Sequence, residues 1–216
     1  AVFNAWFPAF QRLPLSHLDC YHLTNNPTSS NKMSNALFAT QTGGVVNNAI
    51  TGVMPSQVEV ATDHASGASF TASCPAASWG VGNSAKVSWT SLTFANNLVR
   101  IYSASQHARV SPGQKIRFAC RVKTTGLSGG ALINYICAYL YVTVDGVAIT
   151  LPIFNLYGSP AAGNDQSDWD GLFESDLILI PAGSALTNLQ WQVGAYLNGV
   201  CAGSLEVGQI DITVVG

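Results

Sequence analysis

The stretch that decides the fold is residues 133–154, which read INYICAYLYVTVDGVAITLPIF. Two runs of alternating apolar residues flank the dipeptide Asp145-Gly146. Asp-Gly is a strong signal for a two-residue hairpin turn, because both residues tolerate the positive φ that this turn requires. The stretch therefore predicts an antiparallel β-hairpin.

Further short β-like runs lie on both sides of this hairpin, and turn signals such as Ser111-Pro112-Gly113-Gln114 separate them. The runs comprise residues 58–62, 68–72, 86–92, 98–103, 115–123, 173–180, 186–197 and 204–215. About ten strands without a convincing helix predict a mainly β fold, an antiparallel two-sheet β-sandwich with the jelly roll as its topology.

The composition suggests that much of the surface is covered. Of the 216 residues, 48% are hydrophobic and 9% are charged, whereas an ordinary domain has roughly 25% charged residues. Since such a surface gives little charge repulsion between copies, we expect a homo-oligomer, for example a trimer. Viral fibre and spike proteins have this composition.

Several functional classes are disfavoured. A net charge of −2 with nine Lys and Arg residues argues against nucleic-acid binding. The basic stretch 115–123 alternates with apolar residues, so it predicts a solvated strand face over a buried one. No apolar run reaches the ~20 residues of a membrane helix, and the chain shows no signal-peptide pattern. The five cysteines lack Cys-x-x-Cys spacing, and Cys120 and Cys137 fit buried thiols.

Near the N-terminus, residues 18–23 read LDCYHL and contain the pair Asp19 and His22. A carboxylate can hold one ring nitrogen of a histidine so that the other acts as a general base toward a serine hydroxyl. A polar turn and a short helix are predicted within residues 25–38. The alternative, that His22 is an ordinary turn residue, remains open.

The Asp-x-x-His pair, polar loop and helix together resemble the closing block of SGNH (GDSL-type) hydrolases. The resemblance implies an α/β hydrolase in which Asp19 orients His22 as the catalytic base. In that family the nucleophilic serine precedes this block, so the resemblance implies a missing N-terminal hydrolase portion, and we expect this chain alone to be inactive. Residues 1–40 are then the end of the hydrolase domain.

A Gly- and Asn-rich stretch, residues 41–56, is predicted to be a linker, and residues 57–216 form the sandwich domain. The turn Pro112-Gly113-Gln114 and the strand 204–214 resemble the jelly rolls of carbohydrate-binding modules. The whole chain resembles the C-terminal part of bacterial or phage SGNH proteins that carry an accessory sandwich. These resemblances imply a surface polysaccharide or oligosaccharide as the partner.

Aromatic residues are the first candidates for ligand binding, because sugar rings dock on aromatic faces. Trp89 and Trp191 lie within predicted strands and are assigned to the core. Trp79 and Trp169 lie in polar loops and are assigned a platform role. The other aromatic candidates are Tyr102, Tyr135, Tyr139, Tyr141, Tyr157 and Tyr196.

The second candidate is the loop 163–171, in which Asp165, Asp168 and Asp170 surround Trp169. These carboxylates suit sugar hydroxyls, and they could also bind calcium, although the loop does not match the twelve-residue calcium pattern. A solvated turn is the alternative, and the sequence indicates no other metal site or cofactor.

Two functional hypotheses follow. The first is the glycan-recognising C-terminal sandwich of a surface-polysaccharide esterase (a deacetylase), carried on a phage tailspike or fibre or secreted from a cell. The alternative is a structural or receptor-binding virion protein, without enzymatic activity, that forms an oligomer.

Overall fold

A computed structural model of the protein describes residues 50–62, 69–80, 82–90, 97–104, 109–126, 135–157, 168, 170–197 and 202–215. Within these ranges the chain forms two β-sheets that enclose one hydrophobic core. The predicted β-sandwich is thus confirmed. The predictions for Asp19, His22 and the helix within 25–38 lie outside the described residues.

Twelve strands make up the described part of the chain. They are β1 (Ile50–Gly52), β2 (Val58–Thr62), β3 (Ser69–Ser73), β4 (Ala85–Thr90), β5 (Asn97–Ser103), β6 (Lys115–Thr125), β7 (Tyr135–Val144), β8 (Val147–Tyr157), β9 (Asp170–Glu174), β10 (Ile178–Leu179), β11 (Leu186–Leu197) and β12 (Gly203–Val215). Among these residues there is no helix long and apolar enough to cross a membrane.

The two sheets have different strand orders. The seven-stranded sheet runs β1-β3-β4-β12-β6-β10, and β9 also pairs with β6. The five-stranded sheet runs β2-β5-β11-β7-β8. The described strand pairs are antiparallel apart from β1 and β3, which pair in parallel.

The core lies between the sheets and follows the period-two pattern of the strands. On β6, Ile116, Phe118, Cys120 and Val122 are fully buried, and the basic residues between them face outward, as predicted. Burying a large apolar side chain contributes roughly 1.5–3 kcal/mol. The core positions predicted for two tryptophans are confirmed, since Trp89 is 2% exposed and Trp191 is 0% exposed.

The predicted hairpin is present as β7 and β8. The two residues of its turn have φ values of 49° (Asp145) and 83° (Gly146), as a two-residue turn between twisted strands requires. The Asp145 carboxylate accepts hydrogen bonds from the backbone N–H groups of Ser184 and Ala185, at 2.9 Å and 2.8 Å. This carboxylate therefore ties the turn to the segment that leads into β11.

The predicted strand 173–180 is interrupted, and the interruption has a local cause. Ser175 pairs with Phe118 through its backbone N–H (2.8 Å), and its hydroxyl oxygen accepts from the Phe118 N–H (2.9 Å). A side chain thus takes a bond that a backbone carbonyl makes in a regular ladder. Pairing with β6 resumes at Ile178, in β10.

The described end of the predicted linker belongs to the sandwich. Ile50–Gly52 pairs with β3 as strand β1, and the Met54 side chain is 0% exposed within the core. The sheet and core therefore include residues that the Gly- and Asn-rich pattern assigns to a connection between domains.

Candidate functional site

The outer surface of the five-stranded sheet carries a concentration of tyrosines, and we call it the tyrosine face. Successive side chains of a strand point to opposite sides of its sheet, so residues between the buried ones face outward. The described residues of this face include Glu59, Ala61, Arg100, Tyr102, Cys137, Tyr139, Tyr141, Thr150, Gln190, Gln192 and Gly194.

The strand register arranges these residues in rows across the sheet. One row contains Glu59, Tyr102, Gln192 and Tyr139. The next row contains Ala61, Arg100, Gly194 and Cys137. A third row, on the other side of the first, pairs Gln190 with Tyr141 and Tyr141 with Thr150.

Across these rows lies an open cavity of about 290 Å³. Its lining consists of Ala61, Arg100, Tyr102, Tyr141, Gln190 and Gln192. Its volume is close to the lower end of the ~300–1,000 Å³ range of small-molecule sites. It therefore matches one small ring, or one ring of a longer chain that continues over the sheet. We call this cavity the groove.

Two groove side chains are positioned by hydrogen bonds. The Gln190 amide Nε2 donates to the Ser103 carbonyl at 3.1 Å. The Tyr102 hydroxyl bonds to Glu59. Burial raises the pKa of Tyr102 to about 12, with additional contributions from the hydrogen bond to Glu59 and its negative charge, while Arg100 acts in the opposite direction. The phenol is consequently a neutral donor at physiological pH.

A second tyrosine widens the aromatic surface beside the groove. The rings of Tyr139 and Tyr141 lie side by side along β7, with centroids 6.4 Å apart and planes inclined by 44°. Both side chains are half-buried, so each ring leaves part of its surface open to solvent. Together with the Gln amides and the Arg100 guanidinium, the tyrosines can bind a ring that is apolar on its face and polar at its rim.

The outer surface of the seven-stranded sheet is built differently, and we call it the tryptophan face after Trp79. The Trp79 ring packs on Gly208 of β12, so closely that a Cβ at Gly208 would lie 2.6 Å from a ring carbon. The Arg121 guanidinium lies 5.7 Å from the ring centroid of Trp79, a cation–π distance. The backbone N–H of Ser78 donates to the buried Glu206 carboxylate at 3.1 Å and anchors the loop.

The structure brings two of the predicted ligand residues, Trp79 and Asp170, together through Arg121. The Asp170 carboxylate lies 3.6 Å from Arg121 Nη2 and 3.3 Å from Lys123 Nζ. Asp168 is exposed, and Asp165 and Trp169 lie outside the described residues. No group of three metal-ligating side chains occurs in the described part of the chain, and calcium binding by the loop 163–171 stays a prediction.

The groove residues Arg100, Gln190 and Gln192 are absent from the sequence-based candidates, and Tyr102 and Tyr141 appear there without an assigned role. The sequence does contain a pattern that predicts an outward position for Arg100 and Tyr102, because they alternate with apolar residues within residues 98–103. The same alternation in residues 186–197 places Gln190 and Gln192 opposite the core. What the sequence lacks is the strand order that makes these residues neighbours.

No protein-family model and no curated protein matches the chain. Among solved structures, the enzymatically active domain of tailspike protein 4 from bacteriophage CBA120 matches with a TM-score of 0.50 and 10% identity. That match covers 86% of this chain but 21% of the tailspike domain, so the chain spans about a fifth of its length. At this identity the likeness shows a shared fold.

Two carbohydrate-binding modules also match. The xylan-binding family 22 module of Paenibacillus barcinonensis Xyn10C has a TM-score of 0.43 and 13% identity over 72% of this chain and 85% of the module. The family 11 module from Clostridium thermocellum, solved with a mixed-linked tetrasaccharide, has a TM-score of 0.39 and 16% identity over 88% of this chain and 97% of the module.

Proposed function

We propose that this protein recognises a glycan and that the groove in the tyrosine face is its binding site. The observation that carries the proposal is the convergence of Tyr102 and Tyr141 with Arg100, Gln190 and Gln192 around one cavity. Tyrosine rings offer apolar surface to the C–H groups of a sugar, and the amides and guanidinium offer hydrogen bonds to its hydroxyls.

The groove supports binding rather than catalysis. The six described residues that line it include no Asp, Glu or His, whereas glycoside cleavage uses a pair of carboxylates and ester cleavage an activated nucleophile. The thiol of Cys137, on the same face, is a poor nucleophile because burial raises its pKa to about 11.

The wider setting is part of the same proposal. The protein shares its fold with part of a phage tailspike domain, and this supports a location on a phage tail or outside a cell. Upstream of the sandwich, Asp19 and His22 would supply the orienting carboxylate and the base of an SGNH esterase whose serine lies in a preceding portion. The 9% charge content favours assembly into a homo-oligomer, and it equally suits the second candidate, a non-enzymatic receptor-binding virion protein.

The experiment that tests glycan recognition is affinity electrophoresis and calorimetry of the full chain against a panel of neutral and acidic polysaccharides. Tyr102→Ala and Tyr141→Ala should each weaken binding by roughly 30-fold or more, because truncating a central aromatic contact typically costs ~2 kcal/mol. Tyr141→Phe should bind almost as well as the wild type, since it keeps the ring.

The matched control is Trp79→Ala, which removes an aromatic ring from the opposite, tryptophan face. It should leave glycan affinity unchanged. Loss of binding in Trp79→Ala together with full binding in both Tyr→Ala variants would assign recognition to the tryptophan face and refute the groove.

A further inference from the structure

We propose that strand β8 is the contact surface for a second copy of this chain, whose own β8 pairs with it in antiparallel fashion through residues 147–151. Such an interface gives the homo-oligomer of the proposed function a defined contact, and it does not depend on glycan binding. Three features of β8 carry it: its length and lack of charge, the direction of its backbone groups and the position of Pro152.

Strand β8 differs from the other strands that end the two sheets. In the described structure β1 and β10 end the path of the seven-stranded sheet, and they have three and two residues. The five-stranded sheet ends at β2, which has five residues and carries Glu59, and at β8, which has eleven residues and no charged side chain. Short length and charge protect an edge strand against pairing with another chain, so β8 is the end strand best suited to such pairing.

The apolar side chains of β8 are only partly covered within one copy. Val147 is 61% exposed, and Ile149, Leu151 and Ile153 pack on the core while remaining half-buried. A strand beside β8 would cover their open side, and an uncharged strand is favoured there because burying an unpaired charge is costly. A second β8 meets this condition. The net charge of −2 and the 9% charged residues also keep repulsion between copies weak.

The hairpin turn determines which backbone groups of β8 point away from β7. Val144 and Val147 flank the two-residue turn, and such a pair exchanges its hydrogen bonds within the hairpin. Because alternate residues of an antiparallel strand bond to opposite sides, Ile149 also bonds to β7. The N–H and C=O groups of Ala148 and Thr150 therefore point outward, toward the position of the next strand.

Pro152 limits the register of the pairing. It occupies the next outward position and has no N–H to donate, and a bulge follows it in the ladder with β7. The register that avoids Pro152 places Ile149 opposite Ile149 of the second copy, across a twofold axis. Ala148 then exchanges backbone hydrogen bonds with Thr150 of the second copy, and the axis repeats this pair.

This pairing would also align the two grooves. Residues opposite each other in an antiparallel pair point to the same side, so the two five-stranded sheets form one sheet with both tyrosine faces on one side. With strands ~4.8 Å apart, the β11 strands of the two copies lie roughly 24 Å from each other. If the groove binds a glycan as proposed, a long polysaccharide can occupy both grooves and gain avidity, whereas a short oligosaccharide occupies one.

The first experiment is sedimentation velocity of the full chain up to roughly 100 µM, where even a small interface is populated. We expect a dimer that dissociates on dilution. Thr150→Pro removes an outward N–H without removing a bond to β7, so it should raise the dimer dissociation constant by about tenfold or more. Thr150→Val keeps the N–H and should dimerise like the wild type. Circular dichroism confirms that each variant is folded.

The second experiment tests the register by mild oxidation with diamide. Ile149→Cys places two thiols at the twofold axis, in a pair whose Cα atoms lie ~4.5 Å apart, a distance that a disulfide can span. It should form a covalent dimer. Thr150→Cys is the matched control and should cross-link about tenfold more slowly, because it faces Ala148 of the second copy. The wild type gives the background from its five native cysteines.

The outcomes separate this interface from the other proposals. A chain that stays monomeric at every concentration overturns both the interface and the homo-oligomer. A dimer that Thr150→Pro leaves unchanged, or equal cross-linking of the two cysteine variants, refutes the β8 contact and leaves the homo-oligomer standing. If Thr150→Pro does not fold, the cross-linking pair decides. Failure to bind any polysaccharide refutes the groove and leaves the β8 contact, since neither experiment uses a ligand.

Discussion

The two outer faces of this sandwich carry similar side chains in different arrangements. On the tryptophan face, the ring of Trp79 faces Arg121 at 5.7 Å, and Arg121 and Lys123 both pair with Asp170. On the tyrosine face, two rings, two amides and one guanidinium surround an open cavity of about 290 Å³. Aromatic and charged residues occur on both faces; on the tryptophan face the described ones contact each other, whereas on the tyrosine face they surround a cavity.

The difference teaches that composition alone does not identify a binding surface. A tryptophan in a polar loop is a reasonable sugar platform, yet the loop of Trp79 is anchored to Glu206 and its ring packs on Gly208. Arg121 and Lys123 on the same face both pair with Asp170. The following predictions test this contrast, from the largest expected effect to the smallest.

The largest effect is expected when the packing of the tryptophan face is disturbed. Gly208→Ala places a Cβ 2.6 Å from the Trp79 ring, which cannot bend away as a flexible side chain can, so we expect a loss of about 1–3 kcal/mol of stability. Urea unfolding followed by fluorescence measures the loss.

The matched control on the tyrosine face is Gly194→Ala, whose closest contact is the terminal methyl carbon of Leu98 at 2.9 Å. Because that methyl can move, the variant should lose less than about 1 kcal/mol. Equal unfolding midpoints for the two variants would contradict the view that the packing is less tolerant of a Cβ at Gly208 than at Gly194.

A smaller effect is expected from Tyr102→Phe, which removes the hydrogen bond to Glu59. At neutral pH it should cost roughly 0.5–1.5 kcal/mol. Since the pKa of Tyr102 is raised from 10.0 to about 12 in the folded state, this residue stabilises the fold fully below pH 10. That contribution is lost as pH rises through 12, because the unfolded state releases its proton first.

The measurement is urea unfolding of wild type and Tyr102→Phe on both sides of this pH window. The stability gap between them should narrow above pH 10. A gap that stays constant up to about pH 12 would show that the pKa of Tyr102 is not raised in the folded state.

The smallest effect is expected from Asp170→Asn on the tryptophan face. The Asp170 side chain is 48% exposed, so its pairs with Arg121 and Lys123 contribute only ~0.2–1 kcal/mol, and salt screens them. Thermal unfolding at low and high NaCl should show a difference from wild type that disappears at high salt. If the stability difference persists at high salt, the Asp170 carboxylate makes an interaction that solvent ions do not screen.

Much of the fold could be predicted because the relevant signals are local. The Asp145-Gly146 turn, the alternation around Phe118 and the mid-strand position of Trp191 depend on neighbours in sequence, and the structure has each of them as expected. The interruption at Ser175 could not be predicted, because it depends on a hydrogen bond to Phe118 on a distant strand.

The candidate site could not be predicted for the same physical reason. Tyr102, Tyr141 and Gln190 come from β5, β7 and β11, and β11 lies between the other two in the sheet although it follows both in sequence. Alternation assigns each of these residues to the outside of its own strand. Only the pairing of the strands places the three side chains around one cavity.

The alternation that separates groove from core also makes the protein a candidate scaffold for engineering. Positions 100, 102, 141, 190 and 192 alternate along their strands with the buried residues Val99, Ile101, Leu140 and Trp191. A library that randomises these outward positions therefore changes the lining of the groove without altering the residues that hold the two sheets together. New specificities could be selected on this sandwich by display methods, with the five strands acting as a fixed frame for exchangeable side chains.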